Sequence, residues 1–215
     1  MVGVAGVYRL IESRYFESVN IIQPLARPDS LFFEGRNQLT GINDATKLGD
    51  LPELRKVHLR KDDIEIRVWR GFSLDPLEGV ILSRTDGEWS ALHIKTDNCC
   101  RFEKATVEPL YRPKLGWSAF WKMLDEKEIL TIPQSSENEC DKPGIDEIGY
   151  VVEINQGMNY RNYFYPQSGK CREAKQTKEI GEIIGLEFDS GQEQCERTEW
   201  FACMTFLKSR NLLSQ

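Results

Sequence analysis

The chain has 215 residues, 28 basic side chains against 34 acidic ones, a formal net charge of −6, and two histidines. A chain of this length buries roughly 70% of the surface its unfolded form exposes, so a core can form without metal or disulfide support. No Lys/Arg block is present and no apolar run approaches the ~20 residues of a membrane span, which argues against a nucleic-acid footprint and a transmembrane segment.

The first predicted element is a helix over residues 4–15, where Val4, Val7, Tyr8, Ile11 and Tyr15 share a stripe and Arg9, Glu12 and Arg14 lie off it. Pro24 and Pro28 end it, so 1–28 reads as an N-terminal helix with an extended lead-in. Met1 to Val7 is too short for a secretory apolar core and lacks a preceding Lys or Arg, so no export signal is expected. Residues 29–62 carry Gly35, Gly41, Asn43, Asp44 and Gly49 and read as a loop-rich connection. Residues 63–215 are expected to form a single domain.

There the period changes to two. Ile64, Ile66 and Val68 alternate with Glu65, Arg67 and Trp69, the pattern of a half-buried strand. Asp86-Gly87 is a two-residue hairpin signal, because a type I′ turn needs positive φ at both central positions. Pairing outward sets Arg84 against Trp89, Leu82 against Ala91, and Val80 against His93, with Thr85–Glu88, Ser83–Ser90 and Ile81–Leu92 on the other face. A further strand is expected over 101–107. Trp117, Phe120, Trp121 and Leu124 then fall at helical spacing, a broad apolar face for packing on a sheet. Residues 134–147 read as an acidic surface loop, and 173–186 as a helix with Ala174, Ile180, Ile183 and Ile184 inward. The stretch from Glu199 to Lys208 fits helix or strand.

The segment Ile148 to Pro166, "IGYVVEINQGMNYRNYFYP", reads as a second hairpin closed by a three-residue loop, Asn155-Gln156-Gly157. That loop would set Ile154 against Met158, Val152 against Tyr160, Tyr150 against Asn162, and Ile148 against Phe164 on a core face. Glu153, Arg161, Tyr163 and Tyr165 would share the other face. One reading makes them a surface charge pair with two supporting tyrosines. The other makes them a shallow polar-aromatic ligand-binding site, joined by Glu65, Arg67 and Trp69 if that strand lies alongside, since Tyr, Trp and Arg are enriched at recognition hot spots. The ligand-binding candidates are thus Arg67, Trp69, Glu153, Arg161, Tyr163 and Tyr165.

Six cysteines are present. Cys140 and Cys171 bracket the second hairpin and Cys195 and Cys203 enclose a short loop, so both are disulfide candidates beside an equally weighted reduced state. As the chain stands it reads as cytoplasmic; paired cysteines would place it outside the cytoplasm. Histidine chemistry is limited to His58 and His93. Cys99 or Cys100 with His93 is the one Cys/His combination close in sequence, ~20 Å apart along an extended strand. Glu88, Glu147 and Glu153 are the carboxylates on or beside strands that could act as an acid and base pair. Gly-x-Ser-x-Gly, the P-loop, the dinucleotide fingerprint and His-Glu-x-x-His are absent. No cofactor or metal is expected.

These elements predict an α+β fold, a mainly antiparallel twisted β-sheet built from hairpins, with one or two amphipathic helices packed on it. The function expected is a non-catalytic binding or accessory domain for a protein or small polar ligand. The alternatives are a small hydrolase using carboxylates or a Cys/His pair, and a structural or assembly component.

Overall fold

The computed structural model describes residues 38–72, 75–98, 102–134 and 149–188. The helix expected over 4–15, the acidic run 137–147, the Glu199 to Lys208 stretch, and Cys99, Cys100, Cys140, Cys195 and Cys203 lie outside them. Both expected bridges therefore remain expectations.

Six strands form one antiparallel sheet: β1 (Ile64–Arg70), β2 (Glu78–Thr85), β3 (Glu88–Thr96), β4 (Ala105–Pro109), β5 (Gly149–Gln156) and β6 (Asn159–Pro166). Their spatial order is β4-β3-β2-β1-β5-β6, so β1 is central and the two hairpins flank it. Among the described residues three α-helices accompany the sheet: α1 (Gln38–Leu48), α2 (Trp117–Glu126) and α3 (Arg172–Phe188). The fold is α+β, as the sequence predicts.

The first hairpin is set by local chemistry. Asp86 and Gly87 take φ of 52° and 84°, as a type I′ turn requires, and every pairing expected from Arg84–Trp89 to Val80–His93 is present. The edge strand β4 starts later than expected, at Ala105, and its last residue is a proline, which an edge tolerates because the missing N–H costs no ladder bond.

The second hairpin corrects the expected register. Ile154 lies opposite Arg161, Val152 opposite Tyr163, and Tyr150 opposite Tyr165. The loop is two residues long, with Gly157 at φ 63° in its first central position, where a type II′ turn places glycine. Long-range bonds hold this turn: the Gly157 amide donates to Asp63 O at 3.2 Å and Leu59 N donates to Gly157 O at 3.1 Å. The shift is odd, so every β6 side chain lies on the face opposite to the one expected.

Helices cover both faces of the sheet. On one face, α2 and α3 enclose a core of Ile64, Ile66, Val68, Leu82, Ala91, Val152, Ile154, Tyr163 and Tyr165, anchored by Phe120, Leu124, Ile180 and Ile184. Trp89 stacks on Trp117 with ring centroids 5.8 Å apart and meets Trp121 at 5.0 Å, while Phe188 meets Phe120 edge-on at 5.2 Å. On the other face α1 brings Leu39, Ile42 and Ala45 against Trp69, Ile81, Ile94, Val151 and Phe164. Helix α1 lies in the stretch read as a loop-rich connection. Its glycines and Asn-Asp pair masked a short apolar stripe that becomes helical by burial rather than by propensity. For the same reason β1 is buried on both faces along Ile64–Trp69, not half-buried.

Candidate functional site

The six ligand-binding candidates do not share one exposed face. Arg67, Trp69 and Glu153 lie on the α1 side; Arg161, Tyr163 and Tyr165 lie on the α2/α3 side. The odd register of β6 separates them. All but Arg161 are buried, and Arg161 is half-buried.

The first group forms an internal polar network. Arg67 Nε donates to Glu65 Oε1 at 2.7 Å and its Nη1 to Pro52 O at 2.9 Å. Glu153 lies beside Arg67 on the neighbouring strand and accepts from Trp69 Nε1 at 2.8 Å and from the Tyr160 hydroxyl at 2.9 Å. Burial pushes the Glu153 carboxyl above the usual range, against the pull of Arg67 and these two hydrogen bonds. The second group clamps the chain after α2: Arg161 donates to Leu130 O and Ile132 O, Tyr163 to Ile129 O at 3.0 Å, and Tyr165 to Pro133 O at 2.9 Å. In both groups the polar atoms are directed at the protein itself.

Of the carboxylates named from sequence, the two described ones, Glu88 and Glu153, are not brought together. Glu88 is exposed at the end of the first hairpin, Glu153 is buried, and Glu147 lies outside the described residues.

An open polar-aromatic region exists elsewhere, between the sheet and α3. A cleft of about 130 Å³ has Val68 and Val80 in its floor, flanked by His93 on β3 and Tyr150 on β5. Gly181, Ile184, Gly185 and Phe188 of α3 roof it, Leu110 closes one side, and Arg70 and Glu78 stand at its rim. Alternation explains the set. His93, Val80 and Val68 fall in one row across β3, β2 and β1, and Lys95, Glu78 and Arg70 fall in the next. Gly181 lets α3 approach the sheet closely at Tyr150, and Gly185, one turn on, leaves open space. A Cβ at Gly181 would come within 2.4 Å of the Tyr150 ring, whereas one at Gly185 would meet nothing within 4 Å.

The charges at the rim are paired with one another, two cations on one carboxylate. Arg70 Nε and Nη2 reach Glu78 Oε2 at 3.1 and 2.7 Å, and Lys95 donates to Oε1 of the same carboxylate. Burial alone would raise Glu78, but Arg70 and Lys95 together hold it below the usual carboxylate range. The two aromatic polar groups differ: neither the His93 imidazole nor the Tyr150 hydroxyl hydrogen-bonds to another described residue. Burial pushes the His93 pKa down and that of Tyr150 up, so both are neutral near pH 7.

The histidine has a pH consequence. Its folded pKa lies below the ordinary 6.5, so the folded state binds its proton less readily than the unfolded chain. The stability this group contributes is present above about pH 6.5 and is lost as pH falls through the folded value. In urea unfolding at pH 7.5 and 5.0, His93→Phe is expected to lose less stability on acidification than the parent. Equal losses in the two proteins would contradict the assignment.

Sequence reading placed His93 beside Val80 and Trp89, and Tyr150 on a core face, but not the cleft between them. Arg70, Glu78, Gly181 and Gly185 were missed. The available signal was the Gly-x-x-x-Gly spacing in a helical stretch, where glycine is disfavoured unless something must pass close. In comparisons of sequence and structure, the chain matches no family model, no curated protein and no solved structure.

Proposed function

We propose that the protein is a non-catalytic binding domain that takes a small ligand in the cleft beneath α3. The observation that carries this reading is that His93 and Tyr150, both half-buried, border one open cleft and make no hydrogen bond to the described residues. Their polar atoms open onto the cleft rather than being sealed in the core, so each can bond a ligand without giving up a protein partner. Apolar walls with a few converging polar groups are the usual composition of a ligand site.

The make-up of the cleft favours binding over hydrolysis. Among the described residues, no Ser, Thr or Cys lines it, and Glu78 is the one carboxylate. Two cations hold Glu78 ionised, which suits a fixed charge rather than a proton donor.

Gly185 supplies the test. Gly185→Ala is expected to raise stability by roughly 0.5–1 kcal/mol, the helix-propensity difference, while leaving the cleft open. Gly185→Trp places a ring where the cleft is empty. In a ligand-observed NMR screen of small fragments, those bound by the parent and by Gly185→Ala should be lost on Gly185→Trp. A screen in which Gly185→Trp retains every hit would remove the cleft as the site.

A further inference from the structure

The size, walls and charge balance of the cleft together restrict what it accepts. We propose that it selects an uncharged molecule with a flat apolar body of about one ring and a hydrogen-bonding group, the chemistry of an aromatic alcohol or primary amide. This rests on the binding reading above.

Size comes first. The volume of about 130 Å³ is close to the ~150 Å³ of an apolar protein cavity that holds one benzene molecule. Shape follows from the floor and roof. Val68 and Val80 present short branched side chains from adjacent strands, and Gly185 leaves the roof open where any other residue would project. The space between them suits a planar body better than a branched one.

Charge excludes both signs of ion. Arg70 and Lys95 converge on Glu78, so an incoming anion would compete with that carboxylate for the same two cations. Displacing Glu78 would leave a largely desolvated carboxylate short of its partners, a strongly unfavourable exchange. An incoming cation would be the third positive group on Glu78, and the other carboxylates that act on the cleft groups, Glu108 on His93 and Glu182 on Tyr150, hydrogen-bond to neither. Without a counter-charge, an ion entering an apolar cleft loses hydration that nothing there replaces. An uncharged ligand avoids both costs and leaves the rim network intact.

Polarity fixes the remaining feature. A neutral imidazole has one donor and one acceptor, and the Tyr150 hydroxyl can donate or accept. His93 and Tyr150 stand on β3 and β5 with β2 and β1 between them, three strand spacings or ~14 Å at the backbone. Their side chains lean over the same floor from its two sides. A one-ring molecule between them can bond one directly through a hydroxyl or amide, and a substituent across the ring reaches the other.

The test uses the full chain and four probes that share a ring: benzyl alcohol, benzamide, benzoate and benzylamine. Titrations at pH 7.5 are followed by protein NMR of the cleft residues and by calorimetry. Benzyl alcohol and benzamide are expected to bind at least about tenfold more tightly than either ion. That advantage should fall by about tenfold in Tyr150→Phe or His93→Ala, the factor one net hydrogen bond supplies. Gly185→Trp should abolish binding of all probes. Benzoate or benzylamine binding as tightly as the uncharged pair, while still lost on Gly185→Trp, would overturn the ligand class and leave the cleft as a binding site. Uncharged probes that bind without perturbing any cleft residue would overturn both readings. If no probe binds at millimolar concentration, the proposed class is wrong, and the fragment screen above then decides the cleft separately.

Discussion

Arg67→Met is expected to destabilise the protein by about 3–5 kcal/mol at neutral pH, the cost of removing one partner from a buried charge network. Arg67 is 0% exposed, and it stands between Glu65 and Glu153, themselves 2% exposed. Without the guanidinium, two buried carboxylates lose their common cation, and the Pro52 carbonyl loses a donor at 2.9 Å. The fold must then protonate a carboxyl or admit water. Burial already raises the Glu153 pKa with Arg67 present, and it rises further without it. A raised folded pKa favours stability below the unfolded value and removes it as pH rises through the folded one. The deficit of Arg67→Met should therefore shrink as pH falls from 7.5 towards the ordinary carboxyl value of 4.5. Urea unfolding of both proteins at pH 7.5 and 5.0 measures this. A deficit under about 1 kcal/mol, or one that does not change with pH, would mean that Arg67 does not hold this network.

Phe120→Ala carries the second large effect, on the other face. Phe120 is 1% exposed and is the point where α2 meets both the sheet core and the end of α3, through Phe188 at 5.2 Å. Truncation removes the transfer free energy of a buried ring and leaves a cavity that the helix cannot close without also moving Trp117, 6.1 Å from the same ring. Changes of this kind cost about 3–5 kcal/mol. The urea midpoint should fall with little change in slope, and tryptophan fluorescence should report it, because Trp117 and Trp121 sit on the same helix. A loss below about 1.5 kcal/mol would mean that α2 repacks freely, with Phe120 a passenger rather than its anchor. Phe188 also lines the cleft, so the variant should weaken ligand binding along with stability.

The candidate site divides in the same way as the two cores. The first turn set His93 opposite Val80 and alternation put Tyr150 on a core face, and the structure keeps both. What alternation cannot show is that α3 crosses above them, held close to Tyr150 at Gly181 and leaving open space at Gly185. The residues singled out instead, Arg67, Trp69, Glu153, Arg161, Tyr163 and Tyr165, drew attention because polar and aromatic side chains on a strand suggest a solvent-facing surface. Here their polar atoms are paired within the protein, five of the six side chains being buried and Arg161 half-buried. Trp69 and Tyr160 donate to Glu153, and Tyr163 and Tyr165 donate to backbone carbonyls after α2.

The sequence by itself determined the features whose causes are local. Asp86-Gly87 fixes the first hairpin because few residues tolerate positive φ twice in succession, and the register of every pair from Thr85–Glu88 outward follows from the turn. The Trp117 to Leu124 stripe and the Ile180 to Ile184 stripe specify helices with one buried face, and both form. Only the tertiary structure decided the rest. The second hairpin turns at Gly157-Met158 rather than Asn155-Gln156-Gly157 because Asp63 and Leu59, distant in sequence, bond Gly157. That choice turned Tyr163 and Tyr165 inward under α2 and α3. Helix α1 and the segment through Pro52 to Val57 cover the face of β1 that alternation left to solvent, with Asn155 donating to Leu54 O and Val57 O. A turn's dihedrals and a helix's stripe are properties of a few adjacent residues. Which face is buried depends on what packs against it, and that partner can lie anywhere in the chain.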